Sequence, residues 1–397
     1  MKSKLMLLLL LYFLVKANSC FAESLQPLID ATPSGGQLQL ENKAYNGPGT
    51  ITKPIKIIGD EETVIRAETT AIIIKNTTNV TLQNLHIPNS HEGVKVFESE
   101  NIVFQQLEII GGDGHYSKKG NGISFYNVKN ATVTHSLIQS MQDGIYLESS
   151  EALTIEDNQL LNGRYGIHFM YSNNAEVMDN RAADNVTGMM VMMVDQLTIH
   201  HNTIEQQNNL NSNGVFLYEV SNVDVQNNVI RENTIGLILQ KVVDSSMTAN
   251  SFYANGTAVQ AMKSGCVSLR ENTFSANILS ARSDAEGAIF EQNTYDDYKG
   301  NDFDGNGIGD TAHALAQSFG QWMIRQPSYQ YFIESPSVVL LNTLDAQINH
   351  TSEQTLTDST PKITEAGSIQ WKLNFQQLLV GISGLLLTLF LWRKNIQ

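Results

Sequence analysis

Apolar and polar residues alternate in short segments along most of the chain, and each segment follows a glycine at a regular interval. Strict alternation over a few residues is typical of a half-buried β-strand. These segments begin at Gly93, Gly122, Gly144, Gly166, Gly188, Gly214 and Gly236, and then at Ala258. A regular interval of this length is typical of a solenoid, in which each coil buries its apolar side against its neighbours. The pattern therefore predicts a stack of coils built from short strands.

A second column of related residues marks a turn in each coil. Its first member is Leu85, the last residue of the sequence NVTLQNL at positions 79–85. The members follow one another at the same regular interval, except for one longer step before Ser136 and another before Asn228. The column continues through Leu107, Ser136, Asn158, Asn180, Asn202, Asn228, Asn250, Asn272 and Asn293. Asparagine at the same turn of successive coils can stack as an amide ladder. The sequence predicts an all-β, right-handed parallel β-helix with about 22 residues per coil and a C-terminal cap.

Two coils are longer than the others because they contain inserted loops. The insertions are GGDGHYSKKGNG at residues 111–122 and EQQNNLNSNG at residues 205–214. Loops on a rigid scaffold often carry the function of a protein, so these two segments are candidates for functional loops.

Methionine is concentrated in one repeat. The sequence GMMVMMV at residues 188–194 lies one repeat after GIHFMYS at residues 166–172. The first and third residues after each glycine are apolar and are predicted to face inward, so the second and fourth face outward. By this pattern Met189 belongs to the core, and the other side chains of the repeat need a different explanation.

Four outward side chains meet on two neighbouring strands. Equivalent residues of adjacent coils lie about 4.8 Å apart, which places His168 beside Met190 and Met170 beside Met192. Soft thioethers with an imidazole suit Cu(I), and thioethers are poor ligands for Ca²⁺, Mg²⁺ or a hydrolytic Zn²⁺. We therefore predict a copper site at these four residues. The alternative is a methionine patch that a loop or a partner protein covers.

The two ends of the chain predict export and membrane attachment. Residues 1–22 begin with the basic residues Lys2 and Lys4, continue with an apolar run and end in a small-residue cleavage site at Ala22, which is typical of a signal peptide. Residues 375–392 are apolar and uncharged, and a basic tail follows them, which predicts a single transmembrane segment. The alternative is a helix that docks on a partner protein. We expect a periplasmic protein attached to the inner membrane.

Charge argues against a nucleic-acid-binding protein, and cysteine content excludes a protein stabilised by internal disulfides. Asp and Glu number 40 against 25 Lys and Arg, so the net charge is −15, which does not suit a nucleic acid backbone. After removal of the signal peptide Cys266 is the only cysteine, so the chain cannot form an internal disulfide. Stability must then come from burial and from backbone pairing.

An acidic, glycine-rich loop, DFDGNGIGD at residues 302–310, follows the last repeat. Its oxygen-bearing side chains have the spacing of an EF-hand loop, but His313 stands where a bidentate glutamate is expected. The loop predicts a calcium site, and the alternative is an acidic turn without metal. The predicted ligands are Asp302, Asp304, Asn306 and Asp310.

The repeat is lost after this loop, which divides the chain into segments. The predicted organisation is a signal peptide at 1–22, a β-helix at 23–300, the acidic loop and C-terminal cap at 301–345, a polar tether at 346–374, the membrane or docking helix at 375–392 and a cytoplasmic tail at 393–397.

Three segments carry a resemblance to a known family: RYGIHFMYSNN, NTYDDYKGNDFDGNGIGD and RQPSYQYFIESPSVVLL, in this order. Over about residues 35–345 the chain resembles the periplasmic NosD family of nitrous-oxide reductase maturation proteins. The resemblance implies a non-catalytic accessory protein that receives Cu(I) from a periplasmic copper chaperone. It also implies an ABC-type ATPase and a membrane subunit as partners in loading the copper clusters of nitrous-oxide reductase. The family motif corresponds here to Arg164, Tyr165, Gly166, His168, Met170 and Tyr171.

Two other function classes fit a parallel β-helix. A polysaccharide lyase or epimerase needs a base beside carboxylates, and Glu148, Tyr126, Tyr146 and His168 could supply these groups. An anionic polysaccharide would, however, meet an acidic surface. A structural surface protein is the third class. Neither alternative explains why outward thioethers cluster on two coils.

Overall fold

A computed structural model describes residues 22–209, 211–283, 287–315, 319, 322–323, 326–332, 335–348 and 356–363. These residues form a parallel β-helix of the right-handed type with about 12 coils, so the predicted fold class is confirmed for the β-helix. The predicted signal peptide up to residue 21, the apolar segment at 375–392 and the tail at 393–397 lie outside the described residues.

In the described part of the chain, the first strand of each coil belongs to a parallel sheet of 11 strands, which we call the first face. Its strands are Gly49–Ile51, Thr70–Lys75, Glu92–Phe97, Ile123–Tyr126, Asp143–Glu148, Tyr165–Met170, Thr187–Met192, Asn213–Tyr218, Ile235–Gln240, Thr257–Met262 and Leu279–Ser283.

The other two faces form a continuous sheet of 25 strands among the described residues. The second face contains Gly36–Gln39, Ile55–Ile58, Thr78–Pro88, Glu100–Ile110, Lys129–Thr134, Glu151–Glu156, Asn173–Met178, Asp195–His200, Ser221–Gln226, Val243–Thr248, Gly265–Arg270 and Ala288–Glu291. The third face contains Glu23–Ser24, Ala44–Asn46, Val64–Arg66, Leu137–Gln139, Gln159–Leu161, Arg181–Ala183, Thr203–Glu205, Val229–Arg231, Ser251–Tyr253, Thr273–Ser275 and Thr294–Tyr295. Strands His313–Ala314 and Thr357–Asp358 complete this sheet at its C-terminal end.

The predicted alternation of inward and outward residues is confirmed on the first face. Ile145, Ile167 and Met189 stack in the core, and Met189 is only 1% exposed. The glycine before each of these positions is required by close packing between coils. A Cβ at Gly166 would lie 2.5 Å from the carbonyl oxygen of Gly188, a distance that side chains do not tolerate. Each glycine therefore allows the next coil to approach.

The predicted amide ladder is present and fully buried. The side-chain amide nitrogen of each ladder asparagine from Asn158 to Asn272 donates to the side-chain oxygen Oδ1 of the next ladder asparagine at 3.0 Å. A second ladder, which the turn column does not predict, runs through Asn185, Gln207, Asn233, Asn255 and Asn277. The buried amide side chains of both ladders are thus paired with the neighbouring coils, as buried amides must be.

Asp358 closes the first ladder. Its Oδ2 accepts from the backbone and side-chain amides of Asn293, at 3.0 and 2.9 Å, and from the hydroxyl of Tyr295 at 3.1 Å. Residues 356–363 fall within the segment predicted as a polar tether, yet Thr357–Asp358 pairs with Ala288–Glu291 and extends the sheet. A segment distant in sequence therefore covers the end of the last coil.

We expect Asp358→Ala to destabilise the protein by about 2 kcal/mol, because it leaves three buried donors without an acceptor. Asp358→Asn keeps one acceptor oxygen and should cost less. Urea unfolding of the two variants and the parent measures the difference. Equal midpoints for all three proteins would show that the closing contact does not stabilise the fold.

In the described ranges, few helices accompany the strands. Helix Leu25–Ala31 inserts Leu25 and Ile29 into the N-terminal end of the core. Tyr116–Lys118 in the first inserted loop and Pro327–Phe332 form 3₁₀ turns, and Pro336–Ile348 is an α-helix. None of the helices in the described ranges is long and apolar enough to cross a bilayer.

Candidate metal site

Three adjacent strands of the first face build the candidate site: Asp143–Glu148, Tyr165–Met170 and Thr187–Met192. In the parallel register His168 is the partner of Met190, and Met170 is the partner of Met192. The pairing predicted from the repeat is therefore confirmed, and copper binding by these residues stays a prediction. Because each strand is locked by backbone bonds to both neighbours, the scaffold holds these side chains close together.

His168 and Met190 are covered, although their side chains point away from the β-helix core, whereas Met170 and Met192 are half-buried. His168 is 6% exposed and Met190 is 9% exposed. The rings of Tyr146 and Tyr165 pack edge-on against the His168 imidazole, with centroids 5.0 and 4.9 Å away. Aromatic neighbours on the same face thus exclude water from an outward position, which is the condition under which a polar atom needs a partner.

The imidazole of His168 is fixed on one side and unpartnered on the other. Its Nδ1 lies 2.8 Å from Oδ2 of Asp143. An ionised carboxylate can only accept, so Nδ1 carries a proton, and in the neutral imidazole Nε2 then carries the lone pair. Nε2 is buried and has no hydrogen-bond partner among the residues that the structure describes. A histidine held by a carboxylate through one nitrogen, with the other free, is the usual arrangement of a metal ligand.

Arg164 balances the charge of Asp143. The guanidinium donates to both carboxylate oxygens, at 2.8 and 2.7 Å, and lies over the ring of Tyr165 at 4.4 Å. Burial alone would raise the pKa of Asp143, which is 1% exposed, but the bonds from His168 and Arg164 outweigh burial and lower it. Asp143 therefore stays ionised, and the buried pair with Arg164 has no net charge.

A tyrosine connects the thioether of Met170 to a carboxylate. The hydroxyl of Tyr146 donates to Oε2 of Glu148 at 2.7 Å and lies 3.4 Å from the sulfur of Met170. Burial raises the pKa of Tyr146, and the bond to Glu148 raises it further. The phenol thus keeps its proton and helps to set the position of the sulfur.

Comparison with known proteins bears on this arrangement. The family model described as "Periplasmic copper-binding protein (NosD)" matches residues 106–309, which is just over half of the chain and includes all three strands of the site. The chain belongs to the NosD family. Comparison with curated protein sequences gave no significant match.

Solved structures with a similar fold include sugar-modifying enzymes. A point mutant of the periplasmic alginate epimerase AlgG is 17% identical, covers 68% of this chain and 76% of its own, and has a TM-score of 0.52. The A-module of the mannuronan C-5 epimerase AlgE6 of Azotobacter vinelandii is 14% identical, covers 69% of this chain and 94% of its own, and has a TM-score of 0.51. At these identities the likeness shows a shared fold and nothing about activity.

Asp143 is the residue of this NosD-family site that sequence reasoning missed. It precedes Gly144 and pairs in register with Tyr165, so it belongs to the column just before the repeated glycines. The inward and outward pattern covers only the residues after each glycine, so it leaves this column out. The available signal was the position of Asp143 one coil before the outward His168, where a carboxylate can reach the imidazole.

The structure does not gather the predicted calcium ligands. Asp302 accepts from the backbone amides of Gly305, Asn306 and Gly307, and Asp310 accepts from that of Phe303. Asp304 bonds to the side chain of Asn306 at 2.9 Å. Across the described ranges no three His, Cys, Asp or Glu side chains form a group suited to a metal ion. The loop is a hydrogen-bonded turn in this structure, and calcium binding stays a prediction.

Proposed function

We propose that this NosD-family protein holds Cu(I) as a cargo and relays it for assembly of the copper clusters of nitrous-oxide reductase, without catalysing a reaction. The observation that carries the proposal is the buried, unpartnered Nε2 of His168. The register of the two strands places Met190 beside His168 and Met192 beside Met170. The family description as a periplasmic copper-binding protein agrees with this chemistry.

The charge balance of the site favours a soft monovalent ion. Arg164 neutralises Asp143, and His168 and the methionines are neutral ligands. Glu148, the register partner of Met170, adds one negative charge beside the site. This charge offsets the single charge of Cu(I), whereas a divalent ion would keep an uncompensated charge in a poorly solvated environment, which is costly. Thioethers also select Cu(I) over Zn²⁺, Ca²⁺ and Mg²⁺. We therefore propose His168, Met170, Met190 and Met192 as its ligands.

The proposed partners follow from the family resemblance and from the ends of the chain. They are a periplasmic copper chaperone as the donor, an ABC-type ATPase with its membrane subunit, and nitrous-oxide reductase as the acceptor. The signal peptide at 1–22 would deliver the β-helix to the periplasm, and residues 375–392 would hold it at the inner membrane or on the membrane subunit.

Metal selectivity tests the proposal directly. We expect the full-length protein, titrated without oxygen against a chromophoric Cu(I) chelator, to bind Cu(I) and Ag(I), and equal concentrations of Zn²⁺ not to displace Cu(I). Cells without this protein should make a nitrous-oxide reductase deficient in copper, measured by metal analysis of the purified enzyme. A protein that binds no Cu(I), or prefers Zn²⁺, would contradict the proposal.

A carbohydrate-active enzyme is the second candidate, because Tyr146, His168 and Glu148 place acid–base groups on one face of the fold. Such an enzyme would need a free cation to neutralise a uronate carboxylate. The guanidinium of Arg164 is committed to Asp143, and Lys95 on the same face is bound to Glu92. Incubation with alginate and proton NMR of the polymer separates the two functions. New uronate stereochemistry or unsaturated ends would favour the enzyme.

A further inference from the structure

The two coils that carry the His168 site also carry an imidazole pair on another face. On the second face, Asn173–Met178 and Asp195–His200 are neighbouring strands of these coils. The Nδ1 atoms of His200 and His201 lie 2.9 Å apart. His200 is partly buried beside the exposed His201. These side chains are independent of the site on the first face.

The pair is oriented head to head. The ring centroids are 5.1 Å apart, which exceeds the distance between the two Nδ1 atoms by about two ring radii. The two nitrogens therefore point at each other. Two-coordinate Cu(I) binds its nitrogen ligands on opposite sides, which is this arrangement with a wider gap. Metal–imidazole bonds are about 2.0 Å long, so the nitrogens would move apart by about 1 Å.

A carboxylate prepares His200 for this role. Oε1 of Glu176 accepts from Nε2 of His200 at 2.9 Å, so Nε2 carries the proton and Nδ1 carries the lone pair. His201 then donates its own Nδ1 proton to that lone pair. When an ion takes the place of this proton, His201 changes tautomer and holds its proton on Nε2, so both rings stay neutral and both offer Nδ1. No proton is gained or lost.

A thioether lies beside the pair. Met178 is the register partner of His200. Each is the last residue of its strand, is half-buried and faces outward. Adjacent parallel strands are about 4.8 Å apart, which is within reach of a methionine side chain. Two imidazoles and one thioether form a soft, neutral ligand set of the same kind as on the first face.

We propose that His200, His201 and Met178 form a second Cu(I) site, with Glu176 as the positioning residue behind His200. The site does not depend on the ligands of the first face, so this NosD-family protein would hold two Cu(I) ions on the same two coils. A protein with one site on each of two faces could receive copper on one face and present it on the other.

The chain offers a matched control for the test. His135 and His201 occupy the same position of the turn, in left-handed conformation with φ of 52° and 56°. Asn227 holds this position one coil after His201, with φ of 55°, so His201→Asn suits the backbone. Among the described residues the side chain of His135 is paired only with Asp157, at 3.3 Å, which makes His135→Asn the control for a histidine lost from the same turn.

The experiment is an anaerobic Cu(I) titration of the full-length protein against a chromophoric chelator. We expect two equivalents for the parent and for His135→Asn, and one equivalent for His201→Asn. Met190→Leu with Met192→Leu should also retain one equivalent, and the three substitutions together should retain none. Met178→Leu should weaken the second equivalent without changing the first. Circular dichroism verifies that each variant keeps the parent fold.

The outcomes separate the second site from the first. If His201→Asn still binds two equivalents, or if the parent binds one that only the methionine variant loses, the second site is overturned and the proposed function stands. If His201→Asn loses one equivalent while the methionine variant loses none, the second site stands and the first fails.

Discussion

Replacing both Met190 and Met192 with leucine should remove high-affinity Cu(I) binding at the first site. The two substitutions delete half of the proposed ligand set, and we expect a loss of at least about 100-fold, more than the change of a supporting residue causes. Leucine nearly conserves the volume of methionine, so the packing of the strands should change by less than about 1.5 kcal/mol. Competition with a chromophoric chelator at the His168 site measures the change.

Met189→Leu is the control within the same strand. Met189 faces the core and lies between Ile167 and Val215 in register, so its substitution removes a sulfur from the same segment without touching the outward face. It should leave the Cu(I) affinity unchanged. In cells, the double variant should yield a copper-deficient reductase and Met189→Leu a complete one. Parent-like binding and a fully metallated enzyme in the double variant would mean that the outward methionines are only an interface.

Asp143→Ala should have a second large effect, on stability and on binding together. Removing the carboxylate leaves Arg164 partly buried without a counter-charge and frees the ring of His168. Breaking a buried ion pair from one side costs about 3–5 kcal/mol. Loss of the residue that orients a metal-binding histidine costs about 10- to 100-fold in affinity. Chemical unfolding and Cu(I) competition measure the two effects separately.

Glu205 provides a matched control for Asp143. It is 4% exposed and bonded to Arg181 and Arg231 on the third face, away from the copper ligands. Glu205→Ala should also destabilise the protein, because it removes a buried carboxylate between two guanidinium groups. It should leave Cu(I) affinity unchanged. If both variants weaken copper binding equally, the effect of Asp143 is a general loss of stability and not the orientation of His168.

The sequence by itself determined the fold and the neighbours of the outward residues. The regular repeat fixes which residue of one coil lies beside which residue of the next, and strand alternation fixes the face. His168 beside Met190 and the ladder from Asn158 to Asn293 follow from these two periods alone. Both features are confirmed, because parallel stacking in register fixes the position of each residue relative to the equivalent residue of the next coil.

Only the tertiary structure decided what the side chains of those positions do. The bond from Asp143 to His168 depends on rotamers and on a diagonal contact between coils, which a column of equivalent positions does not reveal. The burial of His168 depends on two tyrosine rings that pack against it from neighbouring positions. The closing of the ladder by Asp358 joins segments 65 residues apart, and no repeat or local pattern predicts such a contact. Periodicity determines the position of each residue along the solenoid, whereas hydrogen bonding and packing in three dimensions determine the protonation, burial and orientation of its side chain.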